Sequence, residues 1–427
     1  MNWRGCLILF PILGMCQNLI VSEIVHRGNT VTKDYIIQRE IQHPLQVPLD
    51  STIAIEDQNR LVNLGIFADV KWRAIPLEDM TIRLEFEILE NNKFFGGRFF
   101  GGPAPAYDEK TGWSYGGGGI FKNFRGRNEQ LGGGIAVGGR NTFGISYLNP
   151  WITGDHVSLA GGVARADYQH PFLPYNVIIN TMELNVGLFF GYTKKVSLWF
   201  EIEDMTFEND TTRLNYQYIA PQGFFHYDTR DLYANPTKGI LIKQSLRGRV
   251  DFKGEGKNNF IWTQSFSMYK RLSEIENPKP WILALGFKTH INLGNKDQQF
   301  LNTMGQAGSV RGWQYPNRLN YDDRDQVYRF GFHNMTASAE LRKVLIPRFP
   351  LKDLWEFGLT GAFFFDWGVT NQTSFGDLLE VIPVTGTGVS FQFQIPFVPI
   401  LRLEYGYGFY DGKLVDKAFH LAVSHII

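Results

Sequence analysis

From residue 94 onward the chain repeats one device. Short runs alternate apolar or aromatic residues with polar or small ones, and turn-forming residues separate the runs. Leu401, Leu403, Tyr405, Tyr407 and Phe409 alternate with Arg402, Glu404, Gly406 and Gly408. Val389, Phe391, Phe393 and Ile395 alternate with Ser390, Gln392 and Gln394, and Phe363, Phe365 and Trp367 with Ala362, Phe364 and Asp366. A period of two predicts β-strands with the two sets on opposite faces. A soluble sandwich also alternates, but its exposed face is polar, whereas here run after run carries Phe, Tyr and Trp. An apolar outer face and a polar inner one are what a barrel in lipid requires. About sixteen such runs predict a mainly β fold, a 16-stranded antiparallel transmembrane β-barrel over residues 94–427.

Residues 22–91 carry a different pattern. Ile24 to Asn29 reads as a short strand running into a turn, after which Thr32 is placed to cap a helix extending to about Gln42. Asp50 caps a second helix, with Ile53, Leu61 and Leu64 among its apolar positions and Gly65 as its stop. Phe67–Trp72 is a strand, and Ile82, Leu84, Phe86 and Ile88 alternate with charged or polar neighbours in another. The order β-α-α-β-β predicts one small α+β domain ahead of the barrel.

The first barrel runs are unusual. Gly96, Gly97, Gly101 and Gly102, then Gly116 to Gly119, are poor strand formers. Two readings stay open: a weak edge, or glycines that make room for a neighbour or relieve curvature.

Composition narrows the class. Lys+Arg and Asp+Glu both number 42, so the net charge of +0 lacks the footprint of a nucleic-acid binder. Mean hydropathy is −0.19, and no segment after the N-terminus offers the run of about 18 apolar residues that a membrane helix needs. Arg4 followed by the apolar stretch Cys6–Met15 reads as a signal peptide over residues 1–17. Both cysteines lie there; cleavage after Cys16 would leave a cysteine-free chain, and lipidation of Cys16 is the competing reading. No catalytic constellation or metal spacing is present: His420, Ser424 and His425 share a strand without an orienting acid, and His26, His43, His226 and His333 are scattered. The chain is therefore expected not to be an enzyme and to need no cofactor.

The candidate site is the glycine-rich loop Gly305–Arg318, which contains Val310-Arg311-Gly312-Trp313. Strand alternation points Glu340 and Asp366 inward, where Arg311 pairs with both if the loop folds into the lumen. This loop resembles the V-R-G-F/Y tip of the BamA/TamA superfamily of outer-membrane assembly barrels, with Trp313 replacing the usual Phe or Tyr. Asp228-Thr229-Arg230-Asp231 with Pro236-Thr237-Lys238-Gly239, the Lys122–Leu131 turn, Ala337–Leu341 and Phe364–Gly368 resemble further phrases of that family. Asn63–Val70 resembles part of a POTRA domain. The resemblance implies a loop–lumen lock of Arg311, Gly312, Trp313, Glu340 and Asp366, and a lateral seam near Gly97, Gly101, His420 and Ile427. It further implies an outer-membrane location with the POTRA domain in the periplasm. Implied partners are outer-membrane lipids, unfolded client polypeptides and accessory periplasmic proteins. A two-partner secretion pore, the barrel anchor of a phospholipase transporter and a passive porin are the alternatives.

Overall fold

The computed structural model describes residues 19–78, 81–90, 99–108, 111–153, 156–254, 257–274, 276–317, 321, 326–351, 355–395, 398–423 and 427. The expected signal peptide lies outside the described residues. Two compact units form, divided at Asn91/Asn92.

The first unit is a three-stranded sheet with two helices. Strand β1 (Val21–Arg27) runs parallel to β3 (Ile82–Glu90), which pairs antiparallel with β2 (Phe67–Pro76), giving the order β1-β3-β2. Alternation along β3 places Ile82, Leu84, Phe86 and Ile88 in a core shared with Ile36, Ile37, Ala54 and Leu61. Helix α2 (Ser51–Asn63) begins where expected: the Asp50 carboxylate accepts the Thr52 amide at 2.8 Å, which satisfies an otherwise orphaned donor. It stops at Gly65, whose φ of +68° suits glycine.

The first helix corrects the sequence expectation. Helix α1 spans only Asp34–Gln38, and Thr32 does not cap it. Its hydroxyl and amide instead donate to Glu90 at 2.5 and 2.7 Å. The Thr30 hydroxyl and the amides of Thr30 and Val31 join them, so the turn after β1 wraps the carboxylate that ends β3. Periodicity could not reveal this, because the partners are separated by 58–60 residues. Burial opposes the charge on Glu90, but the Thr32 and Thr30 donors outweigh it and hold the carboxyl below the ordinary glutamate range.

A folded pKa below the unfolded one stabilises fully above the unfolded value of about 4.3 and is lost as pH falls through the folded value. Glu90→Gln should therefore cost this unit about 2 kcal/mol at pH 7, the scale of charge-assisted hydrogen bonds, with the deficit shrinking below about pH 4. Hydrogen exchange of the β3 amides in the full chain at both pH values checks this; a deficit independent of pH would contradict it.

The second unit is a sixteen-stranded antiparallel sheet curved into a barrel. Its strands are β4 (Phe99–Asp108), β5 (Gly112–Phe124), β6 (Glu129–Gly138), β7 (Asn141–Asn149), β8 (Val157–Gln169), β9 (Asn176–Phe190), β10 (Lys194–Glu208), β11 (Arg213–Asp228), β12 (Gly239–Asp251), β13 (Asn259–Arg271) and β14 (Trp281–Gly294). A two-residue ladder, β15 (Asn302–Thr303) with β16 (Phe330–Gly331), stands in the long loop that follows. The wall resumes with β17 (His333–Leu351), β18 (Trp355–Asn371), β19 (Val384–Ile395), β20 (Val398–Tyr410) and β21 (Lys413–Ala422).

The faces follow the alternation. Phe363, Phe365, Phe391, Tyr405 and Tyr407 are exposed on the outside, whereas Phe364, Asp366, Gln392, Arg402 and Glu404 are buried inside. None of the described helices is long and apolar enough to cross a membrane; the strands carry the apolar surface.

Two features mark the first strands. Three of the first four are short, nine or ten residues in β4, β6 and β7 against sixteen in β11. Their glycines also answer a spatial need: a Cβ on Gly116 would lie 2.0 Å from the Ile135 carbonyl oxygen, and one on Gly118 2.9 Å from that of Gly133. Close backbone approach is thus part of why β5 and β6 carry glycine.

Candidate functional site: a loop locked in an open-edged barrel

The loop between β14 and β17 folds inward. Arg311 is fully buried, and its guanidinium is held by three acids from three strands. Nε and Nη2 donate to the two oxygens of Asp366 at 2.7 and 2.8 Å, a bidentate fork, and the Arg311 amide donates to the same carboxylate at 2.9 Å. Nη1 reaches Glu340 at 2.5 Å and Glu404 at 2.9 Å. Beneath the guanidinium lies the Phe364 ring, 3.8 Å from its centroid.

Glu340 and Asp366 meet Arg311 as the sequence reading expected; Glu404 was recognised only as part of a charged face. Two further cations complete the cluster. Arg342 binds Glu340 at 2.6 Å, and Arg402 binds Glu404 at 2.9 Å while donating to the Ala307 carbonyl at 3.1 Å. The buried charges therefore alternate in sign, which offsets the cost of desolvating each of them.

The tip is seated by close approach. Gly312 has φ +88°, and a Cβ there would lie 2.6 Å from the Tyr407 backbone. Trp313 is buried, donates from Nε1 to the Thr385 carbonyl at 2.9 Å, and lies where a Cβ on Gly408 would approach its ring to 2.6 Å. A Cβ on Gly386 would fall 1.8 Å from the Arg311 carbonyl oxygen. The small residues alternating along β19 and β20 thus form the floor on which the loop rests. Arg329 closes the loop's base, donating to the carbonyls of Met304 and Gly305, each at 3.0 Å, with its guanidinium over the Trp313 ring.

The seam residues separate. Gly97 lies outside the described residues, and Gly101 sits in β4 opposite Gly119. Among the described residues no ladder joins β4 to β21, although each pairs with its other neighbour. His420 does not belong to a bare edge: it is buried, and its Nε2 accepts the Gly312 amide at 3.0 Å, so the last strand helps hold the loop. Ile427 is not in the wall either. The final strand ends at Ala422, and Ile427 packs inside against Tyr269 and Ala284, its carbonyl accepting the Tyr269 hydroxyl at 2.6 Å. An apolar terminal side chain finds partners in the lumen that a solvated strand edge would not supply.

The turn between β11 and β12 also reaches inward: Asn235 is buried and donates to the Thr360 hydroxyl of β18 at 3.0 Å. Arg230 forks onto Asp228, and Asp231 receives the Thr237 amide and hydroxyl. Aspartate pairing and capping explain why this turn carries Asp-Thr-Arg-Asp.

A curved sixteen-stranded sheet, unpaired between its end strands among the described residues and with a long loop tied into its lumen around a buried arginine, defines a class of outer-membrane barrel. The chain belongs to the Omp85 superfamily: residues 123–426 match the Omp85 superfamily domain. Barrels of this family are outer-membrane proteins.

The fold is similar to that of BamA from Haemophilus ducreyi lacking POTRA domains 1–3, with a TM-score of 0.58 and 18% identity over 94% of this chain and 84% of that one. CdiB from Escherichia coli is similar at a TM-score of 0.52 and 11% identity, covering 99% and 91% of the two chains. CdiB from Acinetobacter baumannii gives 0.54 and 13%, covering 94% and 73%.

Proposed function

We propose that this barrel inserts and folds other polypeptides in the outer membrane, acting without covalent chemistry. The observation that carries the reading is the pair of edges, β4 and β21, that no ladder joins among the described residues, in a protein of this family. Backbone N–H and C=O groups cannot stay unsatisfied in lipid, so an exposed edge is a template for an incoming strand. The short strands β4, β6 and β7 lie at that edge, where a thin apolar belt would thin the bilayer and ease insertion. The β-α-α-β-β unit acts as a POTRA domain in the periplasm, adding client strands to its sheet edge. Accessory periplasmic proteins would dock on the same unit. We hold the N-terminal 17 residues to be a removable signal peptide.

A secretion pore is the second reading, and likeness to CdiB keeps it in view. The inward positions of Ile427 and Asn235, at the end of the barrel opposite the locked loop, oppose a permanently open path and weigh against a porin.

Depletion in the native host, followed by a census of outer-membrane proteins, separates these readings. An insertase predicts loss of many barrels. Loss of one exported client would favour the pore, and unchanged proteins with altered solute uptake would favour a porin.

A further inference from the structure

A second charged surface lines the lumen beside the Arg311 cluster, whose Arg402, Asp366 and Arg311 act electrostatically on its nearest lysine, Lys288. Lys195 of β10, His226 of β11, Lys243 of β12, Ser265 of β13 and Lys288 of β14 stand opposite one another in unbroken register, one residue per strand across five neighbouring strands. With strands about 4.8 Å apart, the three lysine Cα atoms fall about 10 Å from one another in sequence along the row. Long flexible stems let their ammonium groups converge. All three line one cavity of about 560 Å³. No Asp or Glu lines it, and among the described residues none of the three lysines has an ion-pair or hydrogen-bond partner. His226 Nε2 and Trp199 Nε1, in side chains that line the same cavity, are buried polar atoms without a hydrogen-bond partner.

The contrast with the rest of the lumen is informative. Six of its carboxylates, Asp228, Glu201, Glu203, Glu340, Asp366 and Glu404, are met by arginine, whereas Glu183, opposite Glu201, has no arginine partner among the described residues. The lysines of this row have no carboxylate within ion-pair distance among the described residues; Lys195 rests its ammonium over the Phe189 ring, 4.7 Å from the centroid. They are point charges suited to phosphate, and not the planar forks used here for carboxylate. Ser197 adds a hydroxyl beside them, as does the Ser245–Thr263 pair, whose two hydroxyls bond to each other.

The geometry points to a binding site for a phosphate-bearing anion on the lumen wall, held by Lys195, Lys243 and Lys288. It goes beyond the insertase reading and stands whichever polypeptide the barrel handles. A soluble phosphate compound and the headgroup of an anionic lipid share the required chemistry.

The test uses the full chain folded into phosphatidylcholine nanodiscs, titrated with inorganic pyrophosphate by calorimetry. The wild type should bind, more weakly as salt rises, and each lysine removed should weaken binding about tenfold, so Lys243→Gln/Lys288→Gln should lose about a hundredfold. Lys194→Gln/Lys253→Gln, both exposed, should bind as the wild type. Citrate should bind more weakly than pyrophosphate. If the double variant does not fold, Lys243→Gln alone decides, because that side chain already faces water. A parallel purification from micelles containing phosphatidylglycerol identifies the source. Lipid retained by the wild type and lost from the variant assigns a headgroup; pyrophosphate binding without retained lipid assigns a soluble phosphate. No pyrophosphate binding, equal binding by wild type and lysine variants, or citrate binding as tightly as pyrophosphate overturns the site.

Discussion

Arg311→Ala should release the loop from the lumen and destabilise the barrel by about 3–5 kcal/mol, the cost typical of removing one partner from a buried ion pair. The loss falls unevenly. Glu340 keeps Arg342, and Glu404 keeps Arg402. Asp366 is bound through Arg311 alone in this cluster, so it becomes the uncompensated buried charge. Asp366→Asn in the same chain should therefore recover part of the stability. The readout is the temperature at which the folded band is lost on unheated gels, together with trypsin cleavage at Arg329, which the seated loop shields. Arg213→Ala removes a loose, exposed pair with Glu208 and should cost under about 0.5 kcal/mol. Equal effects of the two alanines would contradict a lock.

Gly386→Val should have the other large effect without touching a charge. Its Cβ would overlap the Arg311 carbonyl oxygen, an atom of a buried backbone that cannot shift without breaking the fork to Asp366. Loop and wall cannot both keep their places, so the loop is expelled and becomes protease-sensitive, with activity falling as far as in Arg311→Ala. Gly248→Val, where a Cβ meets nothing within 4 Å, should leave the loop seated. A protected loop in Gly386→Val would show that the contact is not tight.

How much of this was legible before folding depends on the range of each interaction. Alternation is local, so the faces of β18 to β20 could be read residue by residue, and the inward positions of Glu340 and Asp366 followed from parity alone. The partnership of Arg311 with these acids was readable from one phrase and two parities. Glu404 and His420 have the right parity too, but 93 and 108 residues separate them from the loop, and only the curvature of the sheet brings them to it. Gly386 and Gly408 read as ordinary small residues, because the surface they accommodate belongs to the loop and not to a neighbouring strand. Thr32 misled for a similar reason: a good capping residue was drawn to a buried carboxylate 58 residues away. Ile427 continued the alternation of the last strand, yet its apolar side chain found a better environment inside.

Lateral opening between β4 and β21 is tested most directly by fastening the two strands together. Pro103→Cys and Ala418→Cys place one cysteine on each, in a chain whose own cysteines are only Cys6 and Cys16. With the natural pair removed, any disulfide formed within one molecule, read from the monomer band on a non-reducing gel, spans the seam. The oxidised barrel should stop inserting an unfolded outer-membrane client into vesicles, and a reductant should restore insertion to the level of either single variant. Full activity with the seam held shut would contradict the account.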